Sequence, residues 1–228
     1  VSPTTRPGQA RRAVILAAAL DSFLEHGIAG ASIEDVCARS GASVGSVYHH
    51  FGGKEGLAGA VFRAALGDYQ RVFLAALRAY PDDAAGGIRA VVREHLRWCL
   101  AEAPERARFL LLHGDAARGD GDAAVEQNRE FFAEALAWLR RHVEHHPDLD
   151  LAYALWLGPA QEYCRLRLTG RTTSDPARAA EVLADGAVRA LFPTGPTDPA
   201  RPTDPTDPAD PTDPADPTGP TDPTERRP

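Results

Sequence analysis

Residues Ser32 to Lys54 read SIEDVCARSGASVGSVYHHFGGK, and the fold follows from how this stretch divides. Ile33, Val36 and Cys37 recur at helical spacing behind Ser32, whose hydroxyl can accept from the free N–H groups of a first turn. Asp35, three residues on, stands where a capping box places its acid. Gly41 ends that helix, since a residue just past a helix end takes a positive φ and glycine does so without a Cβ clash. Ser43 is the next N-cap, and Val44, Val47 and Phe51 line one side of a helix of barely two turns. Gly45, Ser46, Tyr48, His49 and His50 fall on its other side. The layout is a helix-turn-helix. Such a short helix cannot persist alone in water, because nucleation costs more than so few backbone bonds return. It must dock on neighbours, and its outward side offers small, hydroxylated, aromatic and imidazole groups that reach base edges and phosphates without bulk.

Outward from this core the rest of the chain reads as helix. Upstream, the spacing predicts a platform helix over 9–26, with Ala13, Leu16, Leu20, Phe23 and Leu24 as its buried stripe and Gly27 at its end. Residues 1–8, with Pro3 and Pro7, are expected to form a flexible arm, and Arg6, Arg11 and Arg12 could lie on phosphates. Downstream, a helix from Lys54 to about Tyr80 is stopped by Pro81 and, at about 1.5 Å per residue, runs roughly 40 Å. Further helices are predicted over 83–102, around Phe109 to Leu112 and ending at Gly114, over 123–146 and over 149–169, with a polar loop at 114–121. Pro159 should kink the helix over 149–169 or remove one of its backbone bonds. Ser174-Asp175-Pro176 restarts the last helix, which carries Leu183, Ala187 and Leu191. The expected class is all-α with about nine helices: a three-helix helix-turn-helix domain at 9–53, joined by the long fourth helix to a helical bundle at 54–192. From Pro193 to Pro223 a proline stands at every third position, mostly as Thr-Asp-Pro, so 193–228 reads as a disordered, extended and solvated tail.

Charge does not advertise the function. The formal net charge is -7, but the tail holds eight acidic residues against three arginines, and Val1 to Ala60 is formally neutral. The inference toward nucleic acid therefore rests on the motif rather than on a basic stripe. Cys37, Cys99 and Cys164 are odd in number and widely spaced, which suits a reducing compartment better than a disulfide framework. The apolar run Ala13 to Leu20 is cut off by Asp21 and Glu25 and falls short of the roughly 18 residues of a membrane span. The expectation is a cytoplasmic protein without membrane, cofactor or metal.

The run Gly45-Ser46-Val47-Tyr48-His49-His50-Phe51-Gly52-Gly53-Lys54-Glu55 resembles that of the TetR (tetracycline repressor-like) family of transcriptional regulators, and the match extends from about Arg11 to Phe62. The resemblance implies a homodimeric regulator, a repressor released from a palindromic double-stranded operator by a small-molecule effector. It puts Ser46, Tyr48 and His49 near bases in the major groove, Val44 and Gly45 at a thymine methyl or sugar edge, and Ser32, Ser43, His50 and Lys54 on phosphate. It also makes the long helix the link to an effector pocket. This recognition helix departs from many relatives in having no Arg or Lys, so it lacks the bidentate guanine contact. Pocket candidates on helices able to face one another are Phe62, Leu66, Tyr69, Phe73, Trp98, Phe109, His113 and Gln161. A two-fold interface is expected on the last two helices, through Leu155, Tyr163, Leu166, Leu183, Ala187 and Leu191.

Competing readings are weaker. Gly41-Ala42-Ser43-Val44-Gly45 satisfies the GxSxG pattern of a serine esterase, but that motif needs a strand leading into Ser43 and none is predicted. A helical adaptor without DNA binding is the third possibility. His142, His145 and His146 at a helix end are favoured there by the negative dipole and are not completed as a metal site by any nearby ligand.

Overall fold

Every regular element among the described residues is helical. The computed structural model describes residues 7–118, 122–142 and 148–192, all within the first of two compact units, Val1–Thr194. The arm up to Arg6, His145, His146 and the Thr-Asp-Pro tail lie outside the described residues.

Helix α1, Pro7–Gly30, is interrupted at Gly27, whose φ of 71° and ψ of 163° leave the helical region. The expected stop is therefore a break followed by one more turn. Its buried face is Ile15, Ala18, Ala19, Ser22 and Phe23, while Ala13 is exposed. The stripe is rotated from the expected one because the five recur at i, i+3, i+4, i+7 and i+8, with small Ala and Ser letting neighbours approach. By length and composition Gly8–Gly30 would also suffice to cross a membrane, contrary to the sequence expectation, yet here it packs against α2, α4 and α6.

Helix α2, Ile33–Ser40, is capped by the Ser32 hydroxyl, which accepts from the Asp35 N–H at 3.1 Å. The Asp35 carboxylate does not serve as the acid of a capping box but grips Arg39 at 2.9 Å and 3.0 Å. Gly41, at φ 63°, makes the turn. Helix α3, Val44–Phe51, is capped by the Ser43 hydroxyl, which accepts from the Ser46 N–H at 3.2 Å. Helix α4, Lys54–Arg78, is about 37 Å long at the usual rise. Helix α5, Ala84–Arg97, runs on into a π-helical turn, Trp98–Glu102, closed by the Ala103 N–H on the Trp98 carbonyl at 2.9 Å. Helix α6, Pro104–Arg118, continues through Gly114 rather than ending there, so the first part of the expected polar loop is helical. Then follow α7, Asp122–His142, α8, Leu149–Leu168, unbroken through Pro159, and α9, Pro176–Leu191, capped by Asp175.

Two buried clusters organise these helices. One joins Ile15 and Phe23 of α1, Val36 of α2, Val47 and Phe51 of α3, Leu57 to Phe62 of α4, and Phe109 and Ala117 of α6. The other joins Tyr69, Phe73 and Leu77 of α4 to Ile88 and Val92 of α5, Trp138 of α7, Trp156 and Leu157 of α8, and Ala184, Ala187 and Leu191 of α9. Burying each large apolar side chain stabilises by about 1.5–3 kcal/mol, so α3 owes its existence to Val47 and Phe51. Helix α4 supplies a face to both clusters, as does α6 through Ala107 on one side and Phe109 and Ala117 on the other, so these two helices connect them.

Candidate nucleic-acid interface and ligand cavity

The anchoring of α3 decides what it presents. Val47 is fully buried and Phe51 nearly so, and Arg12 lies over the Phe51 ring at 5.4 Å, a cation–π contact. With that side pinned, Val44 is 43% exposed, Tyr48 is 54% exposed, and Gly45, His49 and His50 are also open, with Ser46 half-buried. Ser32 and Ser43 are exposed at the N-termini of α2 and α3, where unpaired backbone N–H groups and the dipole favour an anion. Eight of the nine sequence-predicted contact residues thus lie on the α2–α3 face, and the arrangement can offer hydroxyl, phenol and imidazole groups to a duplex.

Lys54 behaves differently from expectation. Its ammonium donates to the Ala29 carbonyl at 2.8 Å and to the Ala31 carbonyl at 3.2 Å, tying the start of α4 to the exit of α1. A phosphate contact is left to its third donor. Arg11, read from sequence only as part of a basic arm, donates to the Gly41 carbonyl at 2.7 Å and so holds the turn of the motif. Arg39 is taken up by Asp35 and Glu25, the latter at 2.6 Å. The Ser22 hydroxyl and then the Arg39 fork hold the Asp35 carboxyl below the usual carboxylate range.

Gly41 to Gly45 sits between two helices, and among the described residues no strand leads into Ser43. The Ser43 hydroxyl is engaged as a cap acceptor rather than poised on a strand-to-helix elbow.

In the second cluster, α4, α5, the π-turn, α6, α7 and α8 surround a cavity of about 290 Å³. Phe62, Leu66, Tyr69, Trp98 and Gln161 line it as expected. Three other candidates do not: Phe73 packs on the rings of Phe131 at 5.0 Å and Trp156 at 5.4 Å, Phe109 stacks on Phe23 at 6.0 Å in the first cluster, and His113 lies on Phe109. Sequence spacing put Phe109 on the right helix but could not say which neighbour its face meets. The residues missed are polar ones: Asn128, which accepts from Gln70 at 3.0 Å, Tyr153, which accepts from Gln161 at 3.5 Å, and His95, whose Nδ1 is 2.9 Å from the Tyr69 hydroxyl. An isolated histidine at an apolar helical position was the available signal for His95. Burial pushes the Tyr69 phenol well above its usual range, so it stays neutral. Cys99 also borders the cavity, and Cys164 lies beside it; the interaction between their thiols pulls Cys164 below the ordinary thiol range, while the same interaction and burial drive Cys99 upward.

Of the proposed interface residues, Leu155 is 44% exposed and Tyr163, Leu166 and Leu183 are partly exposed, whereas Ala187 and Leu191 are buried in the chain's own core. The small Ala187 serves the α5–α9 contact instead, since α5 is the helix against which α9 packs most extensively. Leu151 and Val182, exposed and not anticipated, extend the open apolar face of α8 and α9.

A three-helix head with an exposed two-turn helix, joined through the long α4 to a hollow bundle, is an all-helical helix-turn-helix architecture. Residues 15–61 match the family described as bacterial regulatory proteins, tetR family. An HTH-type transcriptional repressor of Mycobacterium tuberculosis, Rv3405c, is 47% identical over 68 residues, which are 25% of this chain and 36% of that protein. The regulator BetI of Paraburkholderia phytofirmans is 38% identical over 82 residues, 36% of this chain and 42% of its own. The likeness thus spans well under half the length of these relatives. Among solved structures, a TetR-family regulator of Marinobacter aquaeolei superposes with a TM-score of 0.65 at 18% identity, covering 78% of this chain and 95% of that one. FadR of Bacillus subtilis, solved in complex with stearoyl-CoA, gives 0.61 at 16% identity, covering 79% and 99%. These show that the fold is shared along the described helices.

Proposed function

We propose that the protein is a homodimeric transcriptional repressor whose α2–α3 pair reads a palindromic operator and whose cavity takes a small-molecule effector that releases it. The observation that carries this reading is the exposed face of α3, with Tyr48, His49 and Val44 outward while Val47 and Phe51 hold the helix down. In this reading 9–53 reads DNA, 54–192 senses and dimerises, and the protein works in the cytoplasm. Two copies of α3 must stand about 34 to 36 Å apart to meet successive major grooves. Phe62, Leu66 and Tyr69 put α4 in the cavity wall, so a ligand that displaces them moves the helix that begins one glycine pair after α3. A difference of about 1–3 kcal/mol between the two arrangements changes operator affinity about 5- to 150-fold. A cavity of about 290 Å³ stands at the low end of the ligand-pocket range of roughly 300–1,000 Å³. It favours a compact, largely apolar effector with a polar group facing Asn128 or Gln161.

Selection from random duplexes tests the proposal. Enrichment of an inverted repeat by the wild type, lost in Tyr48→Ala while the oligomer persists on sizing, is the expected result. Absence of any enriched duplex would leave the helical-adaptor reading in its place.

A further inference from the structure

The cavity wall holds a cluster that the regulator reading does not use. His95 on α5, Cys99 in the π-turn and Cys164 on α8 are all buried, and their ligand atoms lie within 4.8 Å of one another. His95 Nε2 is 3.7 Å from Cys99 Sγ. In a tetrahedral zinc site, with the metal about 2.0–2.1 Å from nitrogen and about 2.3 Å from sulfur, those two atoms stand about 3.6 Å apart. Local structure explains the convergence: four residues along a helix put His95 and Cys99 on one face, and α8 packs Cys164 against them. The other ring nitrogen, Nδ1, faces the Tyr69 hydroxyl at 2.9 Å. An outer partner of that kind fixes the ring and leaves Nε2 aimed at the thiols, which is how ligating histidines are oriented. A π-turn is a recurrent device for placing side chains at functional sites.

We infer that His95, Cys99 and Cys164 form a three-ligand site for a thiophilic d10 cation, Zn(II) or Cu(I), open on its fourth side toward the cavity. Two thiolates and a neutral imidazole carry a charge of -2, which neutralises Zn(II) without leaving an unpaired buried charge. Both sulfurs ligate as thiolates, so any thiol proton still held is released on binding. Soft sulfur donors select Zn(II) or Cu(I) and reject Mg(II) and Ca(II), which take oxygen ligands. His95 and Cys99 border the cavity, so water or a cavity ligand reaches the fourth position that Zn(II) needs and Cu(I) does not. The site stands or falls independently of DNA binding, because its readout is metal uptake.

The test uses the full chain, reduced with a non-coordinating phosphine and titrated with Co(II) as a spectroscopic stand-in. A thiolate-to-cobalt charge-transfer band should saturate at one cobalt per chain. It should be displaced by Zn(II) or by Cu(I), with Mg(II) having no effect. Cys99→Ser and Cys164→Ser should abolish the band, and Tyr69→Phe should weaken cobalt affinity about tenfold. Circular dichroism checks that the variants fold, and the wild-type titration decides the matter even where a variant does not. No band in the wild type overturns the site. So does a band that survives both cysteine variants, since its thiolate would then be that of Cys37.

Discussion

Tyr48 and Val47 are neighbours in sequence and opposites in role, and the contrast shows what one position on α3 is worth. Tyr48 is 54% exposed, so Tyr48→Ala should leave the melting temperature within about a degree. If its phenol reads a base edge, operator affinity should fall by about 1–3 kcal/mol, measured by fluorescence anisotropy at fixed salt. Val47 is fully buried, and Val47→Ala should instead destabilise the domain by about 1–3 kcal/mol in urea unfolding. Asp35 supplies a pH dependence. Its folded pKa is depressed, so the stabilisation it gives is fully present above the unfolded value near 3.8 and is lost as pH falls through the lower folded value. Thermal melts from about pH 5 to about pH 2 should lose less with acid in Asp35→Asn than in the wild type, and parallel curves would show that another carboxylate governs the acid limb. The outward residues of α3 were legible in the sequence because one short amphipathic pattern fixes both sides of a two-turn helix. Lys54 and Arg11 were not, since the carbonyls they grip, those of Ala29, Ala31 and Gly41, belong to backbone whose position depends on the packed structure.

At the scale of elements, capping is the feature on which α2 and α3 most depend. Each is eight residues long, too short for propagation to offset nucleation, and each begins with a serine hydroxyl accepting from the N–H three residues on. Ser32→Ala and Ser43→Ala should each cost about 1 kcal/mol of stability by chemical denaturation. Equal unfolding midpoints in variant and wild type would mean that docking alone sustains the helices. The serines, Gly41 and Pro176 were readable as boundaries because start and stop chemistry is local. The end of α6 was not: Gly114 carries a stop signal, but it faces the Phe62 ring and the helix passes through it to Arg118. The π-turn likewise leaves no local mark, since Trp98 to Glu102 obeys ordinary helical spacing in the sequence, and it packs against α6 and α8.

At the scale of the whole molecule, the apolar side chains of the described residues divide into two buried clusters and an open face. Leu151, Leu155 and Val182 remain exposed on α8 and α9, the place where the proposed dimer would close. Leu155→Glu combined with Val182→Glu should give a monomer by light scattering, with far weaker operator binding and an unaltered helical spectrum. A dimer that survives both changes would move the interface elsewhere. The last two helices were placed by apolar spacing and by the restart at Ser174-Asp175-Pro176, but the inward turn of Ala187 and Leu191 depends on α5, a contact almost a hundred residues away in the chain that periodicity does not encode. Because the Lys54 ammonium rivets the first turn of α4 to the exit of α1, and Arg11 of α1 in turn clasps the bend at Gly41, the reading head is a single stiff plate. An effector that rocks α4 would swing that plate bodily, steering intact recognition helices out of register with the grooves instead of melting them.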